Sequence, residues 1–107
     1  MPIHIDMVPY VKPGVVIRPM RAMLDLLLPG TTTGLTLNPE ARAFFERIDG
    51  RRSVASIARS MIEVYDAPLE LLIKEASEVM GSLADAGIIG WESGDEETAD
   101  VQDEEDG

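Results

Sequence analysis

Hydrophobic and polar positions follow two different periods along this chain. Between Pro13-Gly14 and Pro29-Gly30 lie two short apolar runs, Val15 to Arg18 and Ala22 to Leu28, separated by Pro19-Met20-Arg21. Both are too short for independent helices. The β-branched Val15, Val16 and Ile17 predict a strand, and the second run reads as a strand from its length and flanking breakers. Thr31-Thr32-Thr33-Gly34 then turns into Leu35-Thr36-Leu37, whose leucines share one face while Thr36 takes the other. The pattern predicts a three-stranded antiparallel meander.

At Asn38-Pro39 the period changes to helical. Asn38 suits a cap, Pro39 the first helical position and Glu40 the first turn. Ala41, Phe44, Phe45 and Ile48 form one apolar stripe, and Asp49-Gly50 stops the helix. Ser53 opens a second helix, in which Val54, Ile57, Ala58, Met61 and Val64 or Tyr65 keep the spacing until Asp66-Ala67-Pro68. A third runs from about Leu69 to Ala86, with Leu69, Leu72, Ala76, Val79 and Leu83 on its main stripe and Gly87 as its stop. Ile88, Ile89 and Trp91 are expected to fold back onto the core. Three strands followed by three helices define an α+β, winged-helix-like domain over residues 13–91, with an N-terminal extension at 1–12.

Charge alters the picture at one end only. The chain has 107 residues and a net charge of -11, with 20 acidic and 9 basic side chains. Residues 92–107 hold nine of the acidic residues and no basic one, leaving 11 against 9 in the rest. That segment has almost nothing to bury and repels itself, so it is expected to be a disordered acidic tail. There is no cysteine, which removes disulfides, cysteine metal sites and cysteine nucleophiles and fits a reducing cytoplasm. No secretory signal and no apolar run of membrane-spanning length are present, so a cytoplasmic protein without a membrane partner is expected.

The residues offer little for catalysis. His4 is the only histidine, so a histidine metal cluster or a Ser-His-Asp arrangement cannot be built within one chain. Pro29 to Gly34 lacks the glycine-lysine pair of a phosphate loop and sits between strands. Glu75 and Glu78 lie on a helix exterior with no basic or metal partner in view. No catalytic residue, metal site or cofactor is assigned. Of the methionines, Met23 and Met61 read as core, and Met80 invites a binding role.

Binding remains. In a winged helix the third helix would enter the major groove, yet residues 66–89 carry Asp66, Glu70, Glu75, Glu78 and Asp85 against Lys74 alone. Phosphates would be repelled, so no nucleic-acid partner is expected. Arg42, Arg47, Arg51, Arg52 and Arg59 keep a DNA-binding regulator as the alternative reading, beside a protein-partner adaptor. Ile3, Ile5 and Met7 alternate around His4 and Asp6, which would allow an added strand that pairs with a second copy in a homodimer.

The succession Leu37-Asn38, Phe44-Phe45, Ile48-Asp49-Gly50, Ser53-Val54 with Ile57-Ala58, Tyr65-Asp66, and Leu83 with Gly87-Ile88-Ile89 resembles the pyrroloquinoline quinone biosynthesis protein D (PqqD) family. That resemblance covers about residues 13–90. It implies a non-catalytic recognition element for ribosomally made, post-translationally modified peptides in natural product biosynthesis. Such a domain captures the leader of a precursor peptide by strand addition and presents it to a modifying enzyme, whether a radical enzyme, a cyclase or a protease. Carried onto this chain, the resemblance assigns the peptide-binding strand to Thr33, Gly34, Leu35, Thr36 and Leu37. It assigns the helical wall of the groove to Leu69, Ile73, Lys74, Ser77 and Met80.

Overall fold

A computed structural model describes residues 4–31 and 34–92. The elements are β1 (Val8–Val11), β2 (Val16–Met20), β3 (Met23–Leu27), β4 (Gly34–Leu37), α1 (Pro39–Phe45), α2 (Val54–Ser60) with a 3-10 turn at Met61–Glu63, α3 (Leu69–Asp85) and β5 (Ile89–Glu92). β2, β3 and β4 form a three-stranded antiparallel sheet in that order, followed by the three helices. The α+β arrangement is the one the sequence predicts.

β2 continues through Pro19 to Met20, and a two-residue turn leads into β3, with Arg21 at a φ of 59°. Proline is tolerated because β2 is an edge strand, where a missing donor faces solvent. Arg42 of α1 fixes this turn: its Nη1 donates to the carbonyls of Arg21 at 2.7 Å and Met23 at 3.0 Å.

Two expectations for the N-terminal segment are corrected. Residues 8–11, left by the pattern in an extension, form β1 and pair antiparallel with β5, Val8 opposite Glu92 and Val11 opposite Ile89. The strand is short and its partner distant in sequence, so no local period marks the pair. The strand proposed for residues 3–7 gives way to a turn, in which the Met7 N–H donates to the His4 carbonyl at 3.0 Å. Ile3 lies outside the described residues. The carbonyls of Met7 and Ile5 accept from the N–H groups of Val54 at 3.0 Å and Ala55 at 2.9 Å. With Ser53 Oγ accepting from Ser56 at 3.1 Å, the first three amides of α2 are satisfied. Helix capping thus uses the carbonyls that a strand shared with a second copy would need.

The core unites Leu24, Leu26 and Leu37 of the sheet, Phe44 and Phe45 of α1, Val54, Ile57 and Ala58 of α2, and Leu72, Ala76, Met80 and Leu83 of α3, closed by Ile88 and Ile89. α3 ends in a Schellman arrangement: Gly87 has a φ of 78°, its N–H donates to the Ala84 carbonyl, and the Ile88 N–H donates to the Leu83 carbonyl. Met61 is core as expected. Met23 is not, being 38% exposed, because Leu24 and Leu26 face inward and alternation turns Met23 out at the hairpin tip. The acidic tail lies outside the described residues from residue 93 onward.

Candidate functional site

The site is built on β4. Leu35 and Leu37 pair with Leu26 and Leu24 of β3 and face the core side, whereas Thr36 pairs with Asp25 and faces out. The Thr36 hydroxyl donates to Asp25 Oδ1 at 2.7 Å, and Arg18 Nη2 lies 3.6 Å from Asp25 Oδ2. A polar row therefore crosses the outer face over all three strands. Gly34 begins β4 because a side chain there does not fit: its Cβ would overlap the Leu26 carbonyl oxygen.

β3 is the only pairing partner of β4 among the described residues. Alternate residues of an antiparallel edge strand direct N–H and C=O groups away from the neighbour, so this edge offers unpaired donors and acceptors. Asn38 ends the strand sharply, its Oδ1 accepting from the Ala41 N–H at 2.8 Å while its own carbonyl accepts from Arg42. The chain therefore turns into α1 without covering the edge.

Beside that edge lies a concavity of about 230 Å³ lined by Leu35, Thr36, Leu37, Asn38, Ala41, Glu78, Val79 and Ser82. A second, of about 170 Å³, shares Asn38, Ala41, Glu78 and Val79 and adds Glu40, Phe44 and Glu75. Together they make one groove along β4 and into the crease between α1 and α3. Its floor is apolar and its rim polar, the chemistry of a site for an extended chain.

Gly34, Leu35, Thr36 and Leu37 of the sequence-assigned strand are β4, and Thr33 lies outside the described residues. The residues assigned to the helical wall lie away from these two concavities. Met80 is fully buried in the core, and Leu69, Ile73, Lys74 and Ser77 line neither concavity. At about 100° per residue, Leu69, Ile73 and Ser77 fall on one flank of the stripe Leu72-Ala76-Met80-Leu83, while Glu75, Glu78 and Ser82 fall on the other. Of that second flank, Glu78 and Ser82 line the concavity beside β4, and Glu75 the one that continues it. Val79, expected on the core stripe, packs against the core and also lines the groove, while Met80 takes the fully buried position. Glu78 and Ser82 carried no sequence signal, since polar residues on a helix exterior look alike whether they rim a groove or face bulk water.

The charges are unevenly used. Arg42 pairs with Glu46 at 2.9 Å, Arg52 lies 3.5 Å from Asp49, and Arg47 donates to the sulfur of Met61 at 2.9 Å. Three of the five arginines that kept DNA binding open are thus engaged locally. The backbone amides of Arg52 and Arg51 both donate to Asp49, and with the Arg52 charge they hold its carboxyl below the usual value. Glu40, Glu75 and Glu78, by contrast, have no ion-pair partner among the described residues. Within the same residues there is no group of His, Cys, Asp or Glu fit to hold a metal, and no helix long and apolar enough to cross a membrane.

Residues 26–89 match the family model for Coenzyme PQQ synthesis protein D (PqqD). Among solved structures, the fold is similar to that of the chain described as TbiB1 in complex with the TbiA(beta) leader peptide. That likeness has a TM-score of 0.69 at 13% identity and covers 78% of this chain and 98% of the other. No curated protein gives a significant match.

Proposed function

Because this chain belongs to the PqqD family, we propose that it is a non-catalytic recognition element that captures the leader segment of a ribosomally made precursor peptide by adding it as a strand to β4. The observation that carries this reading is the unpaired β4 edge lying beside an apolar groove. The similarity to TbiB1, a chain described with a leader peptide, supports it.

The energetics require both parts of the site. Roughly four edge hydrogen bonds, at about 0.5–1.5 kcal/mol each, give a few kcal/mol. That is too little to offset the ordering of a free peptide. Two or three apolar side chains entering the groove, at about 1.5–3 kcal/mol each, bring the affinity into the micromolar to submicromolar range. Backbone pairing gives register, and the anchors give selectivity.

Delivery to a modifying enzyme needs a surface that remains free while β4 is occupied. The opposite edge strand of the same sheet, β2, supplies one, with Val16, Ile17 and Met20 each 46–51% exposed. The bound leader and the enzyme then meet the domain on different strands.

The test is an NMR titration of the isotope-labelled protein with a synthetic leader of the precursor peptide encoded beside its gene. Shifts concentrated at residues 34–37 and on the Glu75–Ser82 flank of α3 are expected. Absence of binding, or shifts confined to Arg51 and Arg52 on adding duplex DNA, would overturn the reading.

A further inference from the structure

The groove does not end with β4. Past Asn38 it enters the crease between α1 and α3, where Glu40, Glu75 and Glu78 stand around an apolar floor. No Lys or Arg lines either concavity, and none of the three carboxylates has an ion-pair partner among the described residues. An extended guest leaving the strand edge at this end passes through a one-sign rim, and a cation there is attracted by several carboxylates at once.

Resting on the strand-addition reading, we infer that this groove selects an extended peptide bearing a lysine or arginine beside two alternating apolar residues, with the basic side chain received by Glu40, Glu75 and Glu78. The apolar pair follows from β4 itself: a guest strand repeats its period, so two residues two positions apart share the face of Leu35 and Leu37 while the one between lies beside Thr36. Every strand pair among the described residues is antiparallel. An antiparallel guest places its N-terminal side at the Asn38 end, so the basic residue precedes the apolar pair, by about one to four positions at 3.3 Å per residue. Acidic guests are rejected by the same rim, which makes the glutamates specificity determinants rather than contributors to affinity for every peptide.

A random-peptide display selection on the full chain tests this, run in parallel on the wild type, on a Glu75→Lys/Glu78→Lys variant and on a Glu75→Gln/Glu78→Gln variant, each verified as folded by circular dichroism. The wild type is expected to enrich Lys or Arg ahead of an alternating apolar pair. The lysine variant should enrich Asp or Glu at that position, and the glutamine variant neither. Replacing the basic residue of a selected peptide by glutamate should weaken binding to the wild type about tenfold at low salt, with the difference shrinking as salt is raised. An alternating apolar pair without charge preference, or the same preference in all three proteins, overturns the inference and leaves strand addition standing. If no alternating apolar pair is enriched at all, both fall.

Discussion

The hydroxyl of Thr36 donates to the carboxylate of Asp25, 2.7 Å away across the β3–β4 ladder. Asp25 also faces Arg18 on β2, so one polar row locks β4 in register and turns Leu35 and Leu37 toward the core side. A one-residue slip would reverse every side chain of the strand. Thr36→Val removes the donor on an exposed face and should destabilise by about 0.2–1 kcal/mol. Urea denaturation checks this, and a loss well above that range would mean the row does more than hold register.

Gly34→Ala should be more severe although it adds one methyl group. The new Cβ would overlap the Leu26 carbonyl and press on Leu27, so β4 must shift or detach. Overpacking of this kind costs about 1–3 kcal/mol. Peptide binding should fall along with thermal stability, since the displaced strand is also the proposed docking edge.

Met80 and Ser82 separate the core from the groove. Met80→Ala leaves a cavity in the centre of α3's packing and should lower stability by about 2–5 kcal/mol. Ser82→Trp, on the exposed rim, should leave the unfolding midpoint nearly unchanged while filling the groove and abolishing leader binding. Calorimetry and a fluorescence binding assay on the two variants read the opposite pattern if the expected wall, with Met80 in it, is the true one.

Much of this molecule is legible in its sequence, for local reasons. Asn38, Ser53 and Gly87 mark helix boundaries through hydrogen bonds to residues three to five positions away, and each acts as its residue type predicts. Leu35-Thr36-Leu37 gives the strand and its facing. What escapes is non-local. Val8–Val11 becomes a strand only because Ile89–Glu92 lies beside it, and Tyr10 covers Gly90, where a Cβ would come within 2.7 Å of its hydroxyl. The groove flank escapes for a different reason: the apolar stripe Leu72-Ala76-Met80-Leu83 has a flank on each side, and the spacing alone does not say which one lies toward β4.

The N-terminal strap makes its own prediction. Deleting residues 1–7 strips the acceptors from the amides of Val54 and Ala55, both of which are buried residues. Each unsatisfied buried donor costs about 1–3 kcal/mol, so the truncated protein should unfold at lower denaturant. Unchanged stability would show that water replaces the strap without penalty.

Asp49 gives a pH signature. Its folded pKa lies below the ordinary 3.8, so its contribution to stability is present above that value and is lost as pH falls through the folded pKa. Carboxyl-detected NMR should find its midpoint under 3.8, and Asp49→Asn should flatten that part of the acid limb. A midpoint at or above 3.8 would show that the amides of Arg51 and Arg52 do not bind the carboxylate in solution.

Hydrogen exchange at the backbone amides of residues 34–37, with and without a saturating leader peptide, reports whether a guest strand pairs with β4. Guest pairing should slow the outward-facing amides of β4 by a large factor while leaving the amides bonded to β3 as they were. Tight binding with the exchange of every β4 amide unaltered would rule out strand addition, because the guest would then be held somewhere other than on that edge.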